Sequence, residues 1–211
     1  MSPRERVSGG HFGYASDPDT GEPLYAYKPS FTGAPWQFRL RPDALEWHVG
    51  VRAGRAAYGD IRRLRLAFRP VAMLSRRYVA EIWPPSGPKL TIASSSWKGV
   101  AEQERLDAGY LAFVAELHRH LAAAGSRASF ERGAPALLYW PALALSAAAA
   151  LAMGALAIEA LRAGALTGAL FIAAFLALFV WQMGGFFRAN RPGTYRPDAL
   201  PAAVLPTKAQ R

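Results

Sequence analysis

Two uncharged apolar runs, separated by a short charged segment, constrain this chain more than any other feature. Residues 137–158 form a run of 22 residues and residues 165–187 a run of 23. A helix needs roughly 20 apolar residues to cross a ~30 Å hydrocarbon layer at ~1.5 Å per residue. Both runs reach that length, and residues 171–181 are apolar throughout, so this stretch offers water no polar face.

The segment between the runs contains Glu159 and Arg162, the only two charges between residues 137 and 187. One continuous helix would bury both charges in lipid, whereas two helices joined by a turn would expose them to water. Gly164 supplies a residue type that commonly ends a helix. The sequence therefore predicts a two-helix transmembrane hairpin, with spans at 137–158 and 165–187.

Charges and aromatic residues both predict the orientation of this hairpin. Arginines flank its open end, and positively charged segments beside membrane spans tend to stay in the cytoplasm. These arginines are Arg127, Arg132, Arg188, Arg191 and Arg196. Five aromatic residues gather at the same end, as at a membrane interface: Tyr139, Trp140, Trp181, Phe186 and Phe187. Both termini are therefore predicted to be cytoplasmic.

The two spans are predicted to anchor the protein rather than to form a transport pathway. Transporters and proton relays place ionisable groups inside the membrane, whereas Gln182 is the only strongly polar side chain well inside either run. Gly164 and Gly168 fit a small-xxx-small pattern. This pattern leaves two alternatives open, packing of the two spans of one chain or association of two copies.

The polar half of the chain predicts an α+β domain over residues 35–125. Apolar and polar residues alternate in 36–43, 44–50, 61–70, 76–83 and 89–94, which is typical of half-buried antiparallel strands. From residue 106 the spacing changes to three and four, which predicts an amphipathic helix ending at Gly125. Trp47, Leu66 and Phe113 are predicted to meet between sheet and helix.

This order of elements resembles the bacterial pleckstrin-homology-like membrane proteins. The resemblance rests on the short strands, the Tyr58–Ile61 step "YGDI", one closing helix and a membrane hairpin, and it covers roughly residues 35–187. It implies an antiparallel split barrel of seven strands capped by the C-terminal helix, located at the bacterial inner membrane. It also implies binding rather than catalysis.

The remaining segments were assigned from their composition. Residues 1–34 lack an apolar core of the kind found in a secretory signal and are predicted to form a flexible N-terminal arm. Residues 126–136 are predicted to be a linker. Residues 188–211 contain prolines at 192, 197, 201 and 206, which predict an extended tail. This tail could lie along the domain or the membrane, dock a partner, or remain disordered.

No catalytic, cofactor-binding or metal-binding residue is predicted. The chain has no cysteine and four histidines, and His118 and His120 are interpreted as surface residues because neighbours two apart point in different directions on a helix. No nucleophile, metalloprotease or phosphate-loop motif occurs. The pairs Asp17/Asp19 and Glu102/Glu104 are assigned to a flexible arm and to a helix's first turn. The sequence therefore predicts no enzymatic activity.

Three arginines form the one predicted functional surface. Arg63, Arg65 and Arg69 share one face of a predicted strand, opposite Leu64, Leu66 and Phe68. They could be a solvated face that prevents edge aggregation, or a patch that contacts anionic lipid headgroups or a protein partner. Nucleic acid is not expected, because the aromatic residues fall on the buried face.

These observations predict a membrane-anchored cytoplasmic binding or scaffolding module. Its expected partners are the lipid bilayer, anionic headgroups, and a protein partner or a second copy of the chain. The alternative from another functional class is an accessory subunit or lipid-processing enzyme acting at the membrane face.

Overall fold

The first half of the domain is a meander of five antiparallel strands. The computed structural model describes residues 12–70, 76–99 and 102–206. The strands β1 (Gly13–Ser16), β2 (Pro23–Tyr27), β3 (Trp36–Leu40), β4 (Ala44–Val49) and β5 (Arg52–Ala57) pair in chain order. In β3 the alternation predicted from the sequence is observed, since Phe38 and Leu40 are buried and Gln37 and Arg39 are only partly so.

A second sheet of five strands combines distant parts of the chain. It contains β6 (Arg63–Phe68), β7 (Tyr78–Trp83), β8 (Leu90–Ala93), β11 (Ser129–Arg132) and β12 (Gly193–Thr194), in the order β12-β11-β6-β7-β8. β11 runs parallel to β6, and the other pairs are antiparallel. A separate pair is formed by β9 (Ser95–Trp97) and β10 (Gln103–Arg105). The last strand of this sheet therefore comes from the segment that follows the second long apolar helix.

The helix α1 (Asp107–Ala123) contributes one apolar stripe to the core between the sheets. Its buried residues recur at helical spacing: Tyr110, Phe113, Val114, Leu117, His118 and Leu121. Trp47, Leu66 and Phe113 belong to the same buried cluster. The hydroxyl of Tyr25 donates to the carbonyl of Ala93 at 2.7 Å and so joins the two large sheets directly. The step at Tyr58–Asp60 is a short 3-10 helix.

Two long helices follow the domain, as the apolar runs predict. α2 (Ala136–Arg162) and α3 (Leu166–Ala189) are each long and apolar enough to cross a membrane. Glu159 and Arg162 lie in the last turn of α2, where Arg162 Nη1 is 2.6 Å from Glu159 Oε1, and both side chains are exposed. Gly164, at a φ of +73°, makes the turn between the helices.

Two segments outside the predicted domain differ from their predictions. The arm predicted for 1–34 contains β1 and β2, and Tyr25 and Tyr27 of β2 are fully buried; residues 1–11 lie outside the described residues. The linker predicted for 126–136 contains β11 and the first residue of α2. Both segments carry apolar side chains that complete the core, and sheet pairing fixes them.

The tail begins with the end of α3 and then lies along the domain. β12 pairs with β11, and a 3-10 helix at Ala202–Val204 leads to Leu205. Val204 and Leu205 are buried in the domain core. Of the alternatives for this tail, residues 193–206 form the strap along the domain, since burial of these apolar side chains stabilises it, and residues 207–211 lie outside the described residues.

The α+β class is confirmed, but the predicted split barrel is not. Within residues 12–70, 76–99 and 102–206 the strands form sheets of five, two and five strands, and no closed barrel occurs. The acidic pair assigned to the first turn of a helix is also placed differently: Glu104 lies in β10 and α1 begins at Asp107.

Candidate functional site: a cationic face joined to a helical hairpin

The three predicted arginines lie on the face of the second sheet that points away from Leu64 and Leu66. Together with four neighbours they form what we call the cationic face. Its members are Arg63, Arg65, Arg69, Glu81, Trp83, Lys89 and Glu131. Five of them lie in β6, β7 and β11. Arg69 directly follows β6, and Lys89 directly precedes β8.

Strand register brings opposite charges side by side across this face. Arg65 of β6 lies directly between Glu131 of β11 and Glu81 of β7. Opposite charges directly across neighbouring strands attract, and like charges repel. The alternation of negative, positive and negative residues therefore favours this register over one shifted by a residue.

Glu81 is the centre of the cluster and is completely buried, with 0% of its side chain exposed. Its Oε1 accepts from Lys89 Nζ at 2.6 Å and lies 3.0 Å from Arg69 Nη2, while its Oε2 is 3.9 Å from Arg65 Nη1. A buried carboxylate stays ionised only when cations offset the lost hydration. The cations around Glu81 are therefore a structural requirement as well as a surface feature.

The three arginines differ in their exposure to solvent. The side chain of Arg65 is 11% exposed and contacts Glu131 Oε2 at 2.5 Å, whereas those of Arg63 and Arg69 are 45% and 50% exposed. The guanidinium carbons of Arg63 and Arg65 lie 5.4 and 5.3 Å from the ring centroid of Trp83. Arg65 therefore holds the face together, and Arg63 and Arg69 are the arginines a ligand can reach.

The cationic face has a surplus of positive charge despite its ion pairs. Four cations, Arg63, Arg65, Arg69 and Lys89, stand against the two carboxylates Glu81 and Glu131, which leaves a net charge of +2. Such a surplus attracts anionic partners, and salt weakens the attraction where the charges are exposed.

One end of the cationic face is attached to the helical hairpin. The buried side chain of Asn190, directly after α3, accepts from the Phe68 amide through Oδ1 at 3.1 Å and donates from Nδ2 to the Phe186 carbonyl at 3.3 Å. The amide of Ala134 donates to the Asn190 carbonyl at 2.9 Å. These bonds join the end of β6 to both helices and place Arg69 at the junction.

Gly133 makes this junction possible. Its φ is +76°, and a Cβ at this position would lie 2.4 Å from the Asn190 carbonyl oxygen and 2.5 Å from that of Arg191. Two backbone segments therefore pass too closely for any larger residue.

A cleft of about 440 Å³ lies at the junction. The end of β6, the start of α2 and the end of α3 line it, and most of its lining is apolar. The lining residues in or directly beside these three elements include Ala67, Arg69, Leu138, Ala142, Phe186 and Asn190. Tyr139 and Phe187 also line it and pack edge to face, with their ring centroids 5.5 Å apart.

The prediction that His118 is a surface residue is wrong. The side chain is buried between α1 and the tail, with Nδ1 2.6 Å from the Val114 carbonyl and Nε2 2.8 Å from the Tyr195 hydroxyl. Burial lowers the pKa of His118 to about 4. His120 stacks on Tyr58 at 5.0 Å. His118 lies four residues after Val114 and three before Leu121, so helical spacing places it on the buried stripe of α1, and the tail, which is distant in sequence, covers it.

Sequence reasoning missed Glu81, Trp83, Lys89 and Glu131. Glu81, Trp83 and Lys89 stand in alternating segments and Glu131 in the predicted linker, but only the tertiary structure shows that these residues surround the three arginines. In the described part of the chain, no group of three or more histidine, aspartate or glutamate residues is arranged to hold a metal ion.

No protein-family model matches this chain, and comparisons with curated proteins and with solved structures give no match. The function is therefore inferred from the chain's own residues.

Proposed function

We propose that this protein is a binding or scaffolding module anchored in the bacterial inner membrane, and that its cationic face contacts anionic lipid headgroups. The observation that carries the proposal is the position of Arg69, which is half exposed, belongs to the cationic face and lies at the base of the hairpin. A cation near an anionic leaflet contributes about 1 kcal/mol of attraction.

The attachment of the hairpin favours this role. Asn190 and Gly133 tie the end of β6 to α2 and α3, so the cationic face is held beside the hairpin rather than on a long flexible linker. A short rigid connection raises the effective concentration of a weakly attractive surface near its target. The surplus of +2 then suffices for a preference among lipids without a deep headgroup pocket.

Orientation and fold supply further support. Arg188 and Arg191 follow the open end of the hairpin, and positively charged flanks favour a cytoplasmic location for that end and for both termini. Ten strands, β1 to β10, precede α1, so the pleckstrin-homology-like resemblance concerns the order of strands, closing helix and hairpin and not the strand count. We therefore propose that the likeness to the pleckstrin-homology-like membrane proteins lies in the order of the elements.

The test uses the full chain in bilayers of equimolar phosphatidylglycerol and phosphatidylcholine with identical acyl chains. After detergent extraction, the lipids that copurify are quantified. We expect phosphatidylglycerol to be enriched several-fold, and 0.5 M NaCl to reduce the enrichment, because exposed charges are screened over a few ångströms at such ionic strength. In the double variant Arg63→Gln/Arg69→Gln the enrichment should fall about fivefold or more, as expected for at least 1 kcal/mol.

The matched control removes two arginines from the other large sheet, Arg52→Gln/Arg55→Gln, and should keep the parent's enrichment. Arg65 is left intact, because it lies between Glu81 and Glu131, and Lys89 remains 2.6 Å from Glu81 Oε1 when Arg69 is replaced. Equal copurification of the two lipids by the parent, or an equal loss in both double variants, would refute the headgroup role.

A further inference from the structure

The cleft at the junction has a composition and a position that no part of the proposed function yet uses. It holds about 440 Å³, within the range of roughly 300–1,000 Å³ typical of sites that bind small molecules. Leu138 and Ala142 come from the first two turns of α2, and Phe186 from the last turn of α3. If these helices span a bilayer, the cleft lies where the spans leave the hydrocarbon layer.

The lining is divided between an apolar wall and a polar rim. Among the described residues that line the cleft, Arg69 alone carries a formal charge, and Asn190 is the only other strongly polar side chain. An apolar wall makes water a poor occupant, since buried water needs two to four polar partners. A ligand with an apolar chain and an anionic group could pack its chain against the apolar wall and place its anion at the polar rim.

Arg69 can contact such an anion while the buried carboxylate keeps its own partners. Arg69 uses Nη2 for Glu81, but a guanidinium has five N–H donors, and half of this side chain is exposed. Lys89 remains 2.6 Å from Glu81 Oε1 and compensates its charge. Arginine also binds phosphate oxygens by paired hydrogen bonds.

We propose that the cleft binds one anionic phospholipid, with an acyl chain against Leu138, Ala142 and Phe186 and with the headgroup phosphate at Arg69. This proposal rests on the proposed function, because it requires the hairpin to lie in a bilayer. The cationic face attracts anionic lipids in general. The cleft, in addition, is a defined site that holds a single lipid.

The test is native mass spectrometry of the full chain released from nanodiscs of equimolar phosphatidylglycerol and phosphatidylcholine. One lipid should remain bound after collisional activation has removed the others, and it should be mainly phosphatidylglycerol. Ala142→Phe fills the cleft without changing charge and should abolish the retained lipid. Ala147→Phe, at an exposed alanine five residues further along α2, is the matched control and should retain it.

Two further measurements make the result independent of how well the filled variant folds. Arg69→Gln should keep one retained lipid but lower the ratio of phosphatidylglycerol to phosphatidylcholine about fivefold. In the parent, phosphatidylglycerol with a diazirine on its acyl chain should crosslink to peptides that contain Ala142 or Phe186.

The outcomes separate this site from the general function. Enrichment of phosphatidylglycerol that Ala142→Phe leaves unchanged, or crosslinks spread along both spans, would overturn the cleft site and leave the cationic face standing. A retained lipid with no preference for phosphatidylglycerol would overturn the cleft proposal, and equal copurification of the two lipids by the parent would overturn the headgroup role as well.

Discussion

The hydroxyl of Tyr195 lies 2.8 Å from Nε2 of His118, although the two residues are on opposite sides of the hairpin in the chain. His118 Nδ1 is 2.6 Å from the Val114 carbonyl, which can only accept, so Nδ1 carries the proton in the neutral ring. Nε2 is then the acceptor and Tyr195 the donor. The segment after α3 is thereby tied to α1, and both ends of the hairpin are attached to one core.

Replacement of Tyr195 by phenylalanine should destabilise the folded chain. The change removes the donor to His118 Nε2 and leaves a buried acceptor without a partner, which costs about 1–3 kcal/mol. Denaturation of the full chain in detergent, followed by near-ultraviolet circular dichroism, measures this loss. Tyr14→Phe, at a tyrosine that is 40% exposed, should change the unfolding free energy by less than about 0.5 kcal/mol. Equal losses would show that the Tyr195 hydroxyl contributes nothing specific.

Acidification should destabilise the protein through His118. Burial lowers the pKa of His118 from 6.5 to about 4 in the folded chain. The unfolded chain therefore binds more protons between these two values, and the unfolding free energy falls as the pH decreases. This contribution is fully present above pH 6.5, is lost progressively down to about pH 4, and amounts to roughly 3 kcal/mol.

The control for this pH dependence is His118→Gln, which cannot titrate. Its unfolding free energy should change less between pH 7 and pH 5 than that of the parent, measured in the same detergent. Parallel pH profiles for parent and variant would assign the acid sensitivity to other groups.

Arg65 and Arg63 should differ sharply in their importance for stability. Arg65→Gln leaves the buried Glu81 and the partly buried Glu131 with fewer cations, and breaking a buried ion pair costs about 3–5 kcal/mol. Arg63→Gln removes an exposed partner of Glu131 and should cost less than about 1 kcal/mol. Chemical denaturation of both variants tests this order, and similar losses would contradict the role of Arg65 between the two carboxylates.

Gly133→Ala should disturb the junction between the domain and the hairpin. The new Cβ would meet the Asn190 and Arg191 carbonyl oxygens at 2.4 and 2.5 Å, and the φ of +76° is unfavourable for alanine, so the cost should exceed about 1 kcal/mol. Amide exchange at Phe68 and Ala134, which contact Asn190, should accelerate. Gly21 has a similar φ of +69°, but a Cβ at that position would meet no atom within 4 Å. Gly21→Ala therefore measures the cost of the backbone conformation without the steric clash. Exchange at the junction as fast in Gly21→Ala as in Gly133→Ala would argue against the steric explanation.

The proposed orientation predicts where reporters fused to the chain will be active. Alkaline phosphatase inserted at Ala163, between α2 and α3, should be active because the turn is expected in the periplasm. A reporter that requires the cytoplasm should be active after residue 211. If the phosphatase were inactive at Ala163 and active when fused to the C-terminus, the topology would be the reverse of the one proposed.

The sequence by itself determined the elements whose pattern is local. The predicted span 137–158 lies within α2, and the predicted span 165–187 begins one residue before α3, because length and lack of charge suffice to recognise such helices. The alternation around Phe38, Leu64 and Leu66 and the helical spacing around Phe113 likewise correspond to β3, β6 and α1. These patterns repeat within a few residues and need no knowledge of distant partners.

Only the tertiary structure decided which distant segments meet. Register places Glu81 and Glu131 on either side of Arg65, which turns a row of arginines into a network of ion pairs. The tail supplies Tyr195 to His118 and Val204 to the core, and the supposed N-terminal arm supplies Tyr25 and Tyr27. The domain predicted at 35–125 contains Glu81 but would lack Glu131, the two tail residues and the two tyrosines of β2. Apolar burial is not directional, so a local pattern shows that a side chain will be buried but not which segment will cover it.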